Sequence, residues 1–221
     1  MNIIEQTVQY VKDSLSSNDA SHDYAHIERV YKMAIKIAHD ESVESELDLE
    51  VIKLGALLHD VHDYKYSGSE TAGPEAVQKF LNEAGYPSNL TDRVVYIVKN
   101  ISYSKEMESN GNHVETPLEL RIVQDADRLD ALGAIGIGRT MVFSGSKGRP
   151  MYDPNIKPNI NMSKKEYMDK KNDTAINHFY EKLFKLKDLM KTESGRRIAQ
   201  KRHEFMELYV DHFKKEWEAE I

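Results

Sequence analysis

From Leu47 to His62 the chain reads LDLEVIKLGALLHDVH, apolar on nearly every side after Glu50 and closed by the ionisable pair His59-Asp60. A helix that is hydrophobic all round is usually central in its domain, because no face of it tolerates water. Such a segment needs neighbours on all sides, and the flanking sequence supplies them. Between Asp23 and Ala38, apolar residues fall at Ile27, Val30, Tyr31, Ala34, Ile37 and Ala38, the 3–4 spacing of one buried helix face. Further helices are predicted over about 2–16, 73–85, 90–102 and 117–131. The last opens with Thr116-Pro117-Leu118-Glu119, a capping-box signature with proline at the first helical position. The sequence shows no internal repeat and no strand pattern.

After Gly133 the pattern loosens. GAIGIGRTMVFSGSKGRPMYDPNIKPNINMS is rich in Gly, Pro, Ser and Asn, and reads as a short helix followed by a long loop. Ser163-Lys164-Lys165-Glu166 is a second capping box, predicting a helix to about Met190. A break near Gly195 then precedes a last helix to about Glu218. The fold class is therefore all-α: a single domain over 1–221 with a core over about 20–135, a Gly/Pro-rich insertion over about 136–162 and C-terminal helices over about 163–218. Phe179, Leu183, Leu186, Leu189 and Met190 recur at helical spacing and read as packing or as the face of a homodimer.

Composition removes several function classes. The formal charge of −7 argues against a nucleic-acid binder, where lysine and arginine supply most of the affinity. The absence of cysteine excludes disulfides and thiolate metal sites, and makes a reducing cytoplasm the expected location. The first residues lack the basic start and apolar core of a signal peptide. No run approaches the ~18 apolar residues of a membrane span, so no membrane partner is expected.

His-Asp occurs four times, at His22-Asp23, His39-Asp40, His59-Asp60 and His62-Asp63, so the dipeptide alone carries no signal. Only His59-Asp60 ends a near-continuous apolar helix, where burying an ionisable pair is costly without a partner. The plain alternative is a helix C-terminus with a histidine favoured by the macrodipole and a solvated aspartate. Other segments weigh against it. His26 lies on the edge of an apolar helix face, and Asp127 is flanked by Ile122, Val123, Ala126 and Leu129. Asp63, four residues past His59, falls within one helical turn of it. Two imidazoles and two carboxylates from three core helices make a mixed N/O site for a borderline-to-hard divalent ion.

In SHDYAHIERV, LLHDVHDYKY, IVQDADRLDALGAIG and SKGRPMYDP the chain resembles the HD superfamily of metal-dependent phosphohydrolases, and among them the bacterial proteins allied to nucleotide pyrophosphohydrolases. The resemblance covers roughly 22–155. It implies an HD-domain helical bundle in which His26, His59, Asp60 and Asp127 ligate one divalent metal ion: Mn²⁺ first, with Fe²⁺, Co²⁺, Ni²⁺, Mg²⁺ and Zn²⁺ as alternatives. Two-metal relatives use further histidines between the HD pair and the last aspartate. Here only His62 and His113 lie in that interval, and His113 sits in the polar stretch ESNGNHVETP, so one metal is expected.

The implied reaction is hydrolysis of a nucleotide phosphate bond, a nucleoside triphosphate giving the monophosphate and pyrophosphate. Asp63 is the candidate to orient or deprotonate the attacking water, or else to hold a ligand histidine by hydrogen bond. Phosphate contacts are assigned first to Lys65, then to Lys99 and Lys105, and to Lys147 and Arg149 in the Gly-rich loop, which closes over a triphosphate or is simply solvated. SGSKGRP lacks the GK[ST] ending and the preceding strand of a phosphate-binding P-loop. Arg29 and Arg128 read as partners of core carboxylates such as Asp23 and Asp130. The alternatives are a 5′-nucleotidase, a guanosine tetraphosphate hydrolase, a cyclic-nucleotide phosphodiesterase, or a metal-binding sensor module without turnover.

Overall fold

The structure, a computed structural model, describes residues 2–15, 24–62, 69, 71–102, 116–160 and 173–221. Among the described residues there are helices and no strands. The chain forms two compact units, Met1–Asp127 and Arg128–Ile221.

The first unit contains α1 (Ile3–Ser14), α2 (Tyr24–Asp40), α3 (Glu46–Leu58), α4 (Ala72–Glu83), α5 (Ser88–Asn100) and most of α6 (Leu118–Asp130). A capping box starts α1: the Glu5 backbone N–H donates to Asn2 Oδ1, and the Asn2 N–H donates to the Glu5 carboxylate. On the predicted face of α2, Ile27, Val30, Ala34, Ile37 and Ala38 are fully buried, while Tyr31 is half-buried. Helix α3 is central. It packs against α1, α2 and α5, and Val51, Ile52, Leu54, Ala56, Leu57 and Leu58 are all essentially inaccessible. Burying each of Ile52, Leu54, Leu57 and Leu58 contributes about 1.5–3 kcal/mol, which makes this helix the main apolar anchor of the unit.

Two expectations are corrected here. Helix α3 stops at Leu58 instead of running to His62, with His59 as its C-cap. The Val61 N–H folds back to the Leu58 carbonyl at 3.2 Å, and His62 adopts a left-handed φ of 51°. The helix expected to carry His59 and Asp63 in one turn thus ends at Leu58, and Asp63 itself lies outside the described residues. So do Lys65, Lys105 and His113. Helix α6 begins at Leu118, one residue after the proline expected to open it, and the Pro117 carbonyl accepts from the Arg121 N–H.

In the second unit, α7 (Gly133–Ser146) occupies much of what reads as loop in the sequence. Glycine lowers helix propensity but does not forbid a packed helix. At Gly136 a Cβ would sit 2.1 Å from the Ala131 carbonyl oxygen, so that glycine serves close packing. The helix ends in a Schellman motif, with Gly148 at φ 64° and the Arg149 N–H bonded to the Ser144 carbonyl.

The irregular chain that follows is tied down. Ala175 and Ile176 donate backbone N–H groups to the carbonyls of Pro150 and Met151, Asn177 Nδ2 donates to the Ile156 carbonyl, and the Asn159 N–H donates to Glu181. The capping box at Ser163–Glu166 lies outside the described residues. A helical stretch then begins one residue after Thr174, whose hydroxyl caps it by accepting from the Asn177 N–H at 3.1 Å. It passes from α8 (Ala175–His178) through a π turn (Phe179–Leu183) to α9 (Phe184–Leu186) and a 3₁₀ turn (Lys187–Leu189). Phe179, Leu183, Leu186 and Met190 are buried there as packing residues.

The expected break near Gly195 falls earlier. Thr192 caps α10 (Glu193–Trp217), and Gly195 is buried in its first turn. No helix among the described residues is long and apolar enough to cross a membrane.

Candidate metal centre

His26 sits in the first turn of α2 and is 1% exposed, so it lies within the buried face, not on its edge. His59 caps α3 and is 5% exposed, Asp60 follows it, and Asp127 lies near the end of α6. These four residues, from α2, the turn that ends α3 and α6, meet inside the first unit. The two Nε2 atoms are 3.2 Å apart. His26 Nε2 lies 3.5 Å from an oxygen of Asp60 and 3.5 Å from Asp127 Oδ1. His59 Nε2 lies 3.8 Å from Asp60 Oδ1 and 3.7 Å from Asp127 Oδ1.

Those spacings fit a cation. Around an ion about 2.1 Å from each donor, neighbouring donors sit about 3.0 Å apart in an octahedron and about 3.4 Å apart in a tetrahedron. The donor set agrees, since paired imidazoles and carboxylates suit a borderline-to-hard divalent ion. The orientation agrees as well. Nδ1–H of His59 donates to the Ala56 carbonyl at 2.9 Å, which fixes the tautomer and leaves the Nε2 lone pair facing the centre.

Without an ion, the same groups hold one another's charge. Burial disfavours a charged His59, but Asp60, the hydrogen bond and charge of Asp127, and the Ala56 carbonyl outweigh it and push the imidazole up to about 9. For Asp127, burial works against the carboxylate, yet the hydrogen bond and charge of His59, then the charge of His26, hold it well below the usual carboxylate range.

Of the cationic side chains assigned to phosphate, Lys99, Lys147 and Arg149 fall among the described residues. Lys99 is exposed in the last turn of α5. Lys147 is exposed with its ammonium 5.5 Å from the Phe143 ring, and Arg149 lies over the same ring at 5.7 Å while pairing with buried Asp173 at 3.5 Å. Arg139 pairs with Asp130 at 3.0 Å, and Arg128 donates to the Leu189 carbonyl.

Two groupings escaped the sequence reading. In the second unit, Asp173, His178 and Glu181 bring donor atoms within 4.8 Å of one another, with Arg149 and the Asn159 N–H on the two carboxylates. The signal that could have found it is Thr174 as a helix cap, hidden because 163–190 reads as one helix. In the first unit, Arg93 joins Asp48 and Glu119, and only the fold brings those charges together.

The HD-domain family model matches residues 23–132. The YpgQ protein of Bacillus subtilis is 32% identical over 214 residues, 96% of this chain and 92% of its own length. A crystal structure from Lactobacillus plantarum is similar at 36% identity and TM-score 0.83, covering 98% of this chain and 97% of that one. An HD-superfamily hydrolase from Bacillus thuringiensis is 41% identical with TM-score 0.73, over 98% of this chain and 97% of that one. YpgQ in complex with ADP matches at 30% identity and TM-score 0.72, over 96% and 97% of the two chains.

Proposed function

Since this chain belongs to the HD superfamily of metal-dependent hydrolases, we propose that it cleaves a phosphoanhydride bond of a nucleoside triphosphate, releasing the monophosphate and pyrophosphate. The observation that carries this reading is the convergence of His26, His59, Asp60 and Asp127 with donor spacings of 3.2 to 3.8 Å. The substrate class draws support from YpgQ, which binds ADP and is similar over nearly the whole chain.

In this account those four side chains hold one divalent ion, with Mn²⁺ the first choice, although two nitrogen and two oxygen ligands also suit Fe²⁺, Co²⁺, Ni²⁺ and Zn²⁺. When bound, the ion supplies Lewis-acid charge at the phosphate. The chain does the rest. Ala56 holds the His59 ring so that Nε2 stays an acceptor. Asp127 is the most exposed of the four, at 35% of its side chain. Asp63 takes the proton of the attacking water or orients it, and Lys65, then Lys99 and Lys105, meet the phosphate oxygens. Arg149 and Lys147 are assigned lesser parts, because Asp173 already engages Arg149. The cysteine-free composition fits a reducing compartment, and we place the activity in the cytoplasm.

The test is a product panel. Protein loaded with Mn²⁺ is incubated with nucleoside mono-, di- and triphosphates, guanosine tetraphosphate and cyclic nucleotides, and phosphate and pyrophosphate are measured separately. Pyrophosphate from triphosphates is the expected result. Phosphate from monophosphates identifies a nucleotidase instead. No turnover with Mn²⁺, Mg²⁺ or Co²⁺, with metal binding confirmed, would leave a sensor module.

A further inference from the structure

We propose that Arg93 is a positioning residue for the metal centre, setting the axial register of α3 and α6 and thereby the spacing of His59 and Asp127. This inference rests on the reading that those residues bind a metal ion. One guanidinium nitrogen, Nη2, contacts both Asp48 Oδ1 and Glu119 Oε1. Asp48 lies in the first turn of α3 and Glu119 in the first turn of α6. The ligand residues sit at the opposite ends of the same two helices: His59 directly follows α3, and Asp127 is close to the end of α6. At 1.5 Å per residue, the clamp acts on the metal centre from about 12 to 17 Å away, through two stiff rods.

Further contacts make α5 a ruler for both helices. On α3, a Cβ at Gly55 would stand 3.0 Å from two carbons of Ile97, so α3 and α5 pack there with almost no gap, four residues before His59. Tyr86, just ahead of α5, donates its hydroxyl proton to Glu50 at 2.8 Å. On α6, Gln124 Nε2 donates to the Asn100 carbonyl at 2.9 Å, one turn before Asp127. Helix α6 therefore meets α5 at two levels, 93–119 and 100–124, and an axial slip breaks both. Metal sites tolerate errors of only about 0.2 Å in ligand distance, so register matters more here than the modest energy of a half-exposed ion pair. Removing Arg93 also leaves Asp48 and Glu119 facing each other as like charges, which pushes α3 and α6 apart.

Co²⁺ is a probe whose visible absorption reports ligand geometry. Arg93→Met is expected to raise the Co²⁺ dissociation constant several-fold, less than the ~10–100-fold typical of a group bonded directly to a ligand, and to shift the absorption bands. Arg93→Lys is expected to restore most of both, because a single nitrogen makes both contacts. Met206→Ala, in the second unit and destabilising by loss of core volume, is expected to leave affinity and bands unchanged. If Arg93→Met fails to fold, Asp48→Asn and Glu119→Gln, which each remove one arm, are measured in its place, with smaller shifts of the same sign expected. Wild-type affinity and bands in these variants would overturn the positioning role while leaving the metal site intact. A wild-type protein that binds no Co²⁺ would overturn the metal site itself, and this inference with it.

Discussion

The Nε2 atoms of His26 and His59 face each other across 3.2 Å, although thirty-three residues of chain separate them. The His59 ring is oriented by its bond to Ala56, and His26 is held in the buried face of α2. A pair built this way needs a cation or a shared proton between its nitrogens.

Removing one ligand is therefore expected to cost the metal. His59→Ala should lower the bound divalent ion, measured by elemental analysis after dialysis, from about one equivalent to near zero, and reduce kcat/KM at least 10³-fold. Retention of a full equivalent would place the ion elsewhere.

The metal-free protein should respond to pH in a defined direction. The His59 imidazole ordinarily titrates near 6.5 and is raised to about 9 in the folded chain. Its contribution is thus fully present below about pH 6.5 and lost as pH rises through 9, a loss of about 3 kcal/mol. Asp127 is depressed, so its contribution holds above its usual value of 3.8 and fades as pH falls further. With chelator present, Tm should fall between pH 6.5 and 9.5. The gain in Tm from added metal should grow over the same interval, since the ion displaces a proton. A flat or rising metal-free Tm there would contradict the charge assignment.

Gly73 fixes the turn that carries the ligands. A Cβ at this position would lie 2.7 Å from the Val61 carbonyl oxygen, a backbone atom that cannot swing aside. Gly73→Ala is expected to cost about 1–3 kcal/mol and to weaken metal binding several-fold by shifting residues 59–62. Gly138→Ala is the contrasting case, with nothing within 4 Å of its Cβ inside α7. It should stabilise by about 0.5–1 kcal/mol, with metal binding unchanged. Calorimetry and a Co²⁺ titration on both variants check the pair.

Leu54 and Leu57 are buried in the most enclosed helix of the first unit. Truncation of either to alanine should cost about 2–5 kcal/mol in denaturant unfolding, the usual range for a leucine that leaves a cavity. A cost under 1 kcal/mol would mean α3 is not central.

The legible parts of the fold are those written in periodicity. The apolar positions of α2 and the all-round apolar run of α3 located a central helix and its partner, and placing His59-Asp60 at the end of that run separated one His-Asp pair from three others. What was not legible depends on tertiary contact. The stop at Leu58 has no glycine or proline to announce it; His62 takes a left-handed φ without either. The glycines of α7 look like loop residues, whereas Gly136 is there because the Ala131 carbonyl leaves no room for a side chain. Arg93, Asp48 and Glu119 are ordinary surface charges in sequence, and their meeting exists only once α3, α5 and α6 are packed.

The most direct test is a metal titration of turnover. Chelated protein is given Mn²⁺ in fractions of an equivalent, and pyrophosphate released from a nucleoside triphosphate is followed. The account expects activity to rise linearly and level off at one equivalent, with Asp127→Asn inactive throughout. Full metal occupancy at His26, His59, Asp60 and Asp127 without pyrophosphate release would contradict it.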